Sequence, residues 1–191
     1  MRAHLCFFLF LVTACGGLNS EPVQHPQPEE TLTQIPEDPP EPSMPEAVEA
    51  TKDELIRYAR VGSLSGLTRV AKRSEAFVSN FGGEDHRAYW DLMRRIGVVP
   101  NQKLIELFAE PVGKRYVDEE VWYIWPDLAA LDAADLIPEK LSFQDRKHLL
   151  ELVGEDGIAK VRAGQGYPGK RTAISEDGRW IYFVLDTDEG D

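Results

Sequence analysis

The apolar positions change rhythm along the chain. Between Thr51 and Phe108 they recur at the three- and four-residue spacing of amphipathic helices. Thr51-Lys52-Asp53-Glu54 has the form of a capping box, in which the threonine hydroxyl and the glutamate carboxylate serve free amides of a first turn. Leu55, Ile56 and Ala59 supply the apolar face of that helix, and Gly62 ends it. Leu64, Leu67, Val70 and Ala71 repeat at the same spacing, after a Gly62-Ser63-Leu64-Ser65-Gly66 turn in which Ser63 or Ser65 can cap. Asp85 to Ile96 is the clearest helix, with Tyr89, Leu92, Met93 and Ile96 along one face and Gly97 as the stop. Asn101, after Pro100, opens another that carries Leu104, Leu107 and Phe108 towards Pro111.

Beyond Pro111 the rhythm turns to short strands. Lys114 to Val117 and Val121 to Trp125 flank an acidic Asp118-Glu119-Glu120 turn and predict a hairpin. A helix starts near Ser142 and carries Leu149, Leu150 and Val153 to Gly154. Arg171 to Ile174 and Arg179 to Leu185 then predict a second hairpin across Ser175-Glu176-Asp177-Gly178, whose glycine can take the positive φ of a tight turn. The run Trp180 to Leu185 is apolar on both faces, as for a strand covered on both sides. The expected fold is α+β: several short amphipathic helices, then a small antiparallel sheet built from two hairpins, in one domain over residues 51–185 with an acidic tail at 186–191.

The N-terminus follows other rules. Arg2 precedes a short apolar run, Leu5 to Val12, about half the ~20 residues that a membrane-spanning helix needs. Val12-Thr13-Ala14-Cys15 is an aliphatic residue, two small ones and a cysteine. This resembles the lipobox of bacterial lipoproteins. The resemblance implies a signal peptide over 1–14, a lipid on the Cys15 thiol and an acylated new amino terminus. Gly16-Gly17 after Cys15, with no aspartate at the next position, resembles the outer-membrane sorting pattern. Membrane lipid held through Cys15 is then the first expected partner, with the domain in the periplasm.

Residues 15–50 continue as a tether. Asn19 to Ala50 holds eight of the 13 prolines and eight acids, with no lysine or arginine, and so offers little to bury against its conformational entropy. An extended Pro-rich spacer of that length reaches ~100 Å. The remainder carries 20 basic and 25 acidic residues, within a net charge of −12 for the whole chain, which argues against nucleic acid. Cys6 leaves with the signal and Cys15 is consumed by lipid, so the folded part has no disulfide, no thiol nucleophile and no thiolate metal site.

Tyr123-Ile124-Trp125-Pro126, Arg171-Thr172-Ala173-Ile174 and Asp177-Gly178-Arg179-Trp180-Ile181-Tyr182-Phe183-Val184 resemble a group of proteobacterial exported proteins with no assigned activity. In that group an aromatic-Val-Trp-Pro segment precedes a hairpin built on Asp-Gly-x-Trp. The resemblance spans about the last third of the domain and implies a shared fold, with no catalytic residue.

Candidate chemistry is sparse. Gly164, Gly166 and Gly169 have the spacing of a dinucleotide fingerprint, but a strand follows where a helix N-terminus is required, and Pro168 removes one amide. Glu84, Asp85 and His86 group a histidine with two carboxylates. As neighbours in sequence they point apart, and Asp85 fits a helix cap. His148 shows no ligand-spaced partner. Trp122, Trp125, Trp180 and Tyr182 lie on neighbouring hairpins, either as a stacking platform for a sugar or peptide or as the core of a domain without disulfides. No cofactor or metal is expected. The leading reading is a lipid-anchored envelope protein with a non-catalytic binding or structural domain, and peptidoglycan or an envelope protein as its partner. The alternative is an enzyme on peptidoglycan or another envelope polymer, with Glu84, Asp85 or His86 at its site.

Overall fold

The first described helix, α1 (Glu46–Arg60), begins earlier than the capping pattern placed it. Pro45 stands at its N-cap, Glu46 and Glu49 occupy the first turn, and Arg57 and Arg60 the last, each sign on the end of the helix that favours it. Thr51 is therefore an interior residue. Its hydroxyl donates instead to the carbonyl oxygen of Gly178, 2.7 Å away and far along the chain. The computed structural model describes residues 44–79 and 85–185. The signal segment 1–14, Cys15 and the tether up to residue 43, Glu84 and the tail at 186–191 lie outside the described residues. The rest belongs to the unit Glu41–Asp191.

The helices that follow keep their expected caps, except that the one expected to open at Asn101 starts at Pro100 with no side-chain cap. Ser63 accepts from the Gly66 amide at 3.1 Å and opens α2 (Leu64–Ala71). An added Cβ at Gly66 would fall 2.3 Å from the Tyr58 ring, so α1 and α2 pack this closely because residue 66 has no side chain. A two-residue strand, β1 (Val78–Ser79), precedes α3 (His86–Arg95), whose N-cap is Asp85. The α3 face differs from the expected stripe. Tyr89, Trp90 and Met93 are buried, whereas Leu92 and Ile96 are 50% and 66% exposed. Trp90 decides this orientation, because the indole stacks in the aromatic core and turns Leu92 outward. Proline is tolerated at the first position of α4 (Pro100–Phe108), where its missing N–H would have no partner in any case.

Two hairpins follow as expected: β2 (Gly113–Val117) with β3 (Glu120–Trp125), and β4 (Arg171–Ser175) with β5 (Trp180–Val184). They join in one sheet of order β1-β5-β4-β3-β2. That sheet is mixed rather than purely antiparallel, since β1 pairs parallel to β5 through Val78–Tyr182 and Ser79–Phe183. Two residues are too few to show an alternation, which is why the sequence pattern does not reveal β1. A shift in register between Ala173 and Ile174 pairs Ala173 with Tyr182 and Ile174 with Trp180, leaving Ile181 as an extra residue. Because of this bulge Trp180 and Phe183 face the same core although three positions apart.

The sheet separates two apolar clusters. Helices α1–α4 cover one face, where Leu55, Leu67, Trp90 and Leu104 meet Trp125, Ile174, Trp180 and Phe183. The other face carries Ile124 and Ala173 under α5 (Phe143–Arg162) and the 3-10 turn Asp127–Ala130. Ser142 caps α5 as expected, accepting from the Asp145 amide at 3.1 Å. The first helical stretch ends at Gly154, as expected, and a second follows it. That residue leaves helical geometry (φ 65°, ψ −177°), and the chain resumes its helix on the far side to bury Ile158 and Val161. The sandwiched sheet accounts for the doubly apolar character of β5, with Trp180 and Phe183 on one side and Ile181 and Tyr182 on the other.

Candidate functional site

The four candidate aromatics divide between the two faces of the sheet. Trp125 and Trp180 are each 1% exposed within the helix-side core. Trp125 meets Phe108 edge-on at 5.0 Å, and Trp180 lies 4.6 Å from Phe77 and 5.8 Å from Trp90. As platform residues these two are corrected to core, because the inward alternation of β3 and the bulge in β5 aim both at the helices. Trp122 and Tyr182 project from the opposite face. Their rings meet edge to face at 6.2 Å and line an open groove of about 780 Å³, the size range of small-molecule sites.

The groove is assembled by cross-strand pairing. Ile124 of β3 pairs with Ala173 of β4, and Ala173 with Tyr182 of β5, forming a row across the floor. Arg115 stands directly opposite Trp122 on the β2 side of that row. Arg171 lies on its other side, paired with Val184. The two guanidinium groups thus bracket the Tyr182 row.

The wall beyond Arg171 is the glycine loop. Gly164 and Gly166 take positive φ (78° and 74°) as the chain leaves α5. Arg171 Nη1 then donates to the carbonyl oxygens of Tyr167 (3.2 Å) and Gly169 (3.0 Å), tying the loop to β4. The loop leads into a strand rather than into a helix N-terminus. On the opposite side, Arg115 Nη2 donates to Asp132 at 2.5 Å. Burial pushes the Tyr182 hydroxyl up to about 12, while the positive charges of Arg171 and Arg115 act in the lowering direction. The phenol therefore stays protonated throughout the neutral range.

Neither arginine stands out in sequence, yet one signal locates Arg115. The turn holds two residues, Asp118 at φ 54° and Glu119, rather than the three of the Asp118-Glu119-Glu120 reading. Val117 then pairs with Glu120, which places Arg115 opposite Trp122. A three-residue turn shifts the register by one and hides the pair.

Asp85 and His86 are structurally occupied. The Asp85 carboxylate accepts from the amides of Arg87 (2.8 Å) and Ala88 (3.4 Å), bonds that hold it below the usual carboxylate range. Half-buried His86 shares a 2.7 Å hydrogen bond between Nδ1 and Ser79 Oγ and stands edge-on to Phe77 at 4.8 Å. Both still border a hollow of about 340 Å³ together with Lys72 and Glu75. Glu84 lies outside the described residues. His148, without a partner in the sequence pattern, meets Glu110 at 3.2 Å. Among the described residues no group of three or more His, Cys, Asp or Glu side chains could hold a metal ion.

Desolvation lowers the His86 pKa, with Asp85 opposing and Lys72 reinforcing the shift. Protonation therefore favours the unfolded chain. The contribution is complete above an ordinary imidazole pKa near ~6.5 and is lost as pH falls through the depressed folded value. Urea unfolding should show stability declining between about pH 7.5 and 5.5, and His86→Gln should flatten part of that decline. An unchanged slope in the variant would show that His86 is not the group responsible.

No protein-family model matches the chain, and no curated protein or solved structure matches it either.

Proposed function

We propose that this chain is a bacterial envelope lipoprotein, anchored through Cys15, whose folded part is a non-catalytic binding module for an envelope glycan. The observation that carries the binding assignment is the groove. Two aromatic rings from different hairpins share its floor, and two guanidinium groups stand on either side of them. Aromatic faces offer rigid, sequence-tolerant contact area to sugar rings, and arginine forks supply fixed donors. The spacing Val12-Thr13-Ala14-Cys15 supports the anchor, and the acidic Pro-rich stretch supports a spacer between membrane and domain. Among the described residues no helix is long and apolar enough to cross a membrane. We place the domain in the periplasm, under the outer membrane.

The alternative, an enzyme on the same polymer, rests on the hollow shared by Asp85 and His86. Catalysis there would use His86 as a base, since its depressed pKa keeps the ring neutral at pH 7.

One experiment separates these readings. The full-length protein is incubated with purified cell-wall sacculi, and bound protein and released fragments are measured after pelleting. Retention without fragment release is expected, and Trp122→Ala should weaken retention by ~10-fold, as for loss of one central aromatic contact. Cys15→Ser should leave retention intact while moving the protein out of the membrane fraction of cells. Fragment release abolished by His86→Ala would establish the enzyme instead. Retention indifferent to Trp122 would remove the groove from the account.

A further inference from the structure

The groove combines properties that limit what it can take. It belongs to a chain of net charge −12, yet two arginines project into it, and among the described residues Asp118 is the one acid in its lining. Arg115 already pairs with Asp132, so Arg171 is the groove cation that faces no carboxylate among the described residues. The arginines flank the aromatic floor rather than lying at a distant rim, because the strand register sets one on each side of the Tyr182 row. Both are held in place from outside the floor, Arg115 by Asp132 and Arg171 by the carbonyl oxygens of Tyr167 and Gly169. The two bonds from Arg171 engage Nη1 and leave the other nitrogens of its fork outside them. A guanidinium fixed in this way is ready for a second, bidentate partner at reduced entropic cost. The protonated Tyr182 hydroxyl adds a neutral donor between the two charges.

From this arrangement, and resting on the reading of the groove as the binding site, we infer that its ligand is an acidic sugar: a pyranose ring stacked on Trp122 whose carboxylate is taken by Arg171 and Arg115. Two envelope sources share that chemistry, the free lactyl ether acid of a muramic residue that carries no stem peptide and the ring carboxylate of a uronic acid. A neutral glycan would leave the Arg171 guanidinium without a counter-charge, whereas Arg115 already has Asp132. An acidic peptide would satisfy the arginines without using the paired rings.

The test is calorimetric titration of the full-length protein in detergent with three probes: a neutral N-acetylglucosamine oligomer, N-acetylmuramic acid and a glucuronic acid oligomer. At least one acidic probe should bind ~10-fold or more tightly than the neutral one, weakening as salt is raised. Whichever acid binds identifies the source. Arg171→Gln should remove most of that preference. Because Arg171 also holds the glycine loop, Arg115→Gln is the second variant; its side chain is 42% exposed and its loss leaves the loop bonds in place. A loss of about fivefold or more in acidic-probe affinity is expected there too, larger than the loss for the neutral probe.

Equal binding of neutral and acidic probes, unaffected by either arginine variant, would overturn the acidic-sugar assignment while leaving the groove as the site. Binding of no probe, with Trp122-dependent retention on sacculi intact, would also overturn it while leaving the groove as the site. Retention that ignores Trp122 is the separate result that removes the groove reading itself.

Discussion

Trp180→Ala should destabilise the domain by ~3–5 kcal/mol, enough to remove much of the stability of an ordinary domain. Its indole is 1% exposed and packs against three aromatic rings: Phe77 at 4.6 Å, Trp90 at 5.8 Å and Phe183 at 5.9 Å. Deletion leaves a cavity among rigid rings that cannot collapse into it. It also breaks a buried chain of hydrogen bonds, in which Trp180 Nε1 donates to Thr172 Oγ1 at 2.8 Å and that hydroxyl donates to the Tyr182 carbonyl oxygen at 2.7 Å. Trp180→Phe keeps most of the packing and removes the donor, so it should cost about 1–2 kcal/mol. Trp122→Ala on the opposite face should cost less than ~2 kcal/mol, because that ring borders solvent and its Nε1 makes a longer bond, 3.3 Å, to Glu120. Urea unfolding of the three variants measures the contrast. Similar losses for Trp122→Ala and Trp180→Ala would contradict the division of the tryptophans into core and groove.

That division is also where legibility in the sequence ends. Caps and turns are local chemistry, and the residues that announce them perform as their types suggest. Ser63, Asp85 and Ser142 each accept from a first-turn amide, and Gly178 takes a φ of 86° in the second hairpin turn. The four hairpin strands and the α+β class follow from the same local signals, whereas β1 does not. Which side an aromatic faces depends on two counts that alternation cannot resolve: the length of the first turn and the extra residue at Ile181. Each shifts the phase by one, and each moves side chains between core and groove. The groove needs both counts. Arg115 and Arg171 therefore look like ordinary surface charges in the sequence and become neighbours of Tyr182 only through pairing across four strands.

Deleting Met44 to Ala50 from the full chain should destabilise the domain by at least ~3 kcal/mol, although the composition of these residues assigns them to the tether. Val48 is completely buried, and full burial of a valine side chain is worth ~1.5–3 kcal/mol. The deletion also removes the first turn of α1, with Glu46 and Glu49 at its dipole. A third loss is tertiary. The α1 backbone runs so close to the second hairpin that a Cβ on Gly178 would lie 2.8 Å from the Ala47 carbonyl oxygen, and Thr51 donates to the Gly178 carbonyl oxygen from the next turn. This contact joins the start of the domain to the turn between β4 and β5, the strands that carry Arg171 and Tyr182 into the groove. The deletion should accordingly lower the unfolding midpoint in urea and weaken retention on sacculi together. A deleted chain with an unchanged midpoint would mean that the fold begins at Thr51, as the capping box suggests, and that the first turn of α1 contributes no stability. A proline-bounded acidic segment reads as tether by composition, but one valine placed at helical spacing from Leu55 is enough to fasten its end to the core.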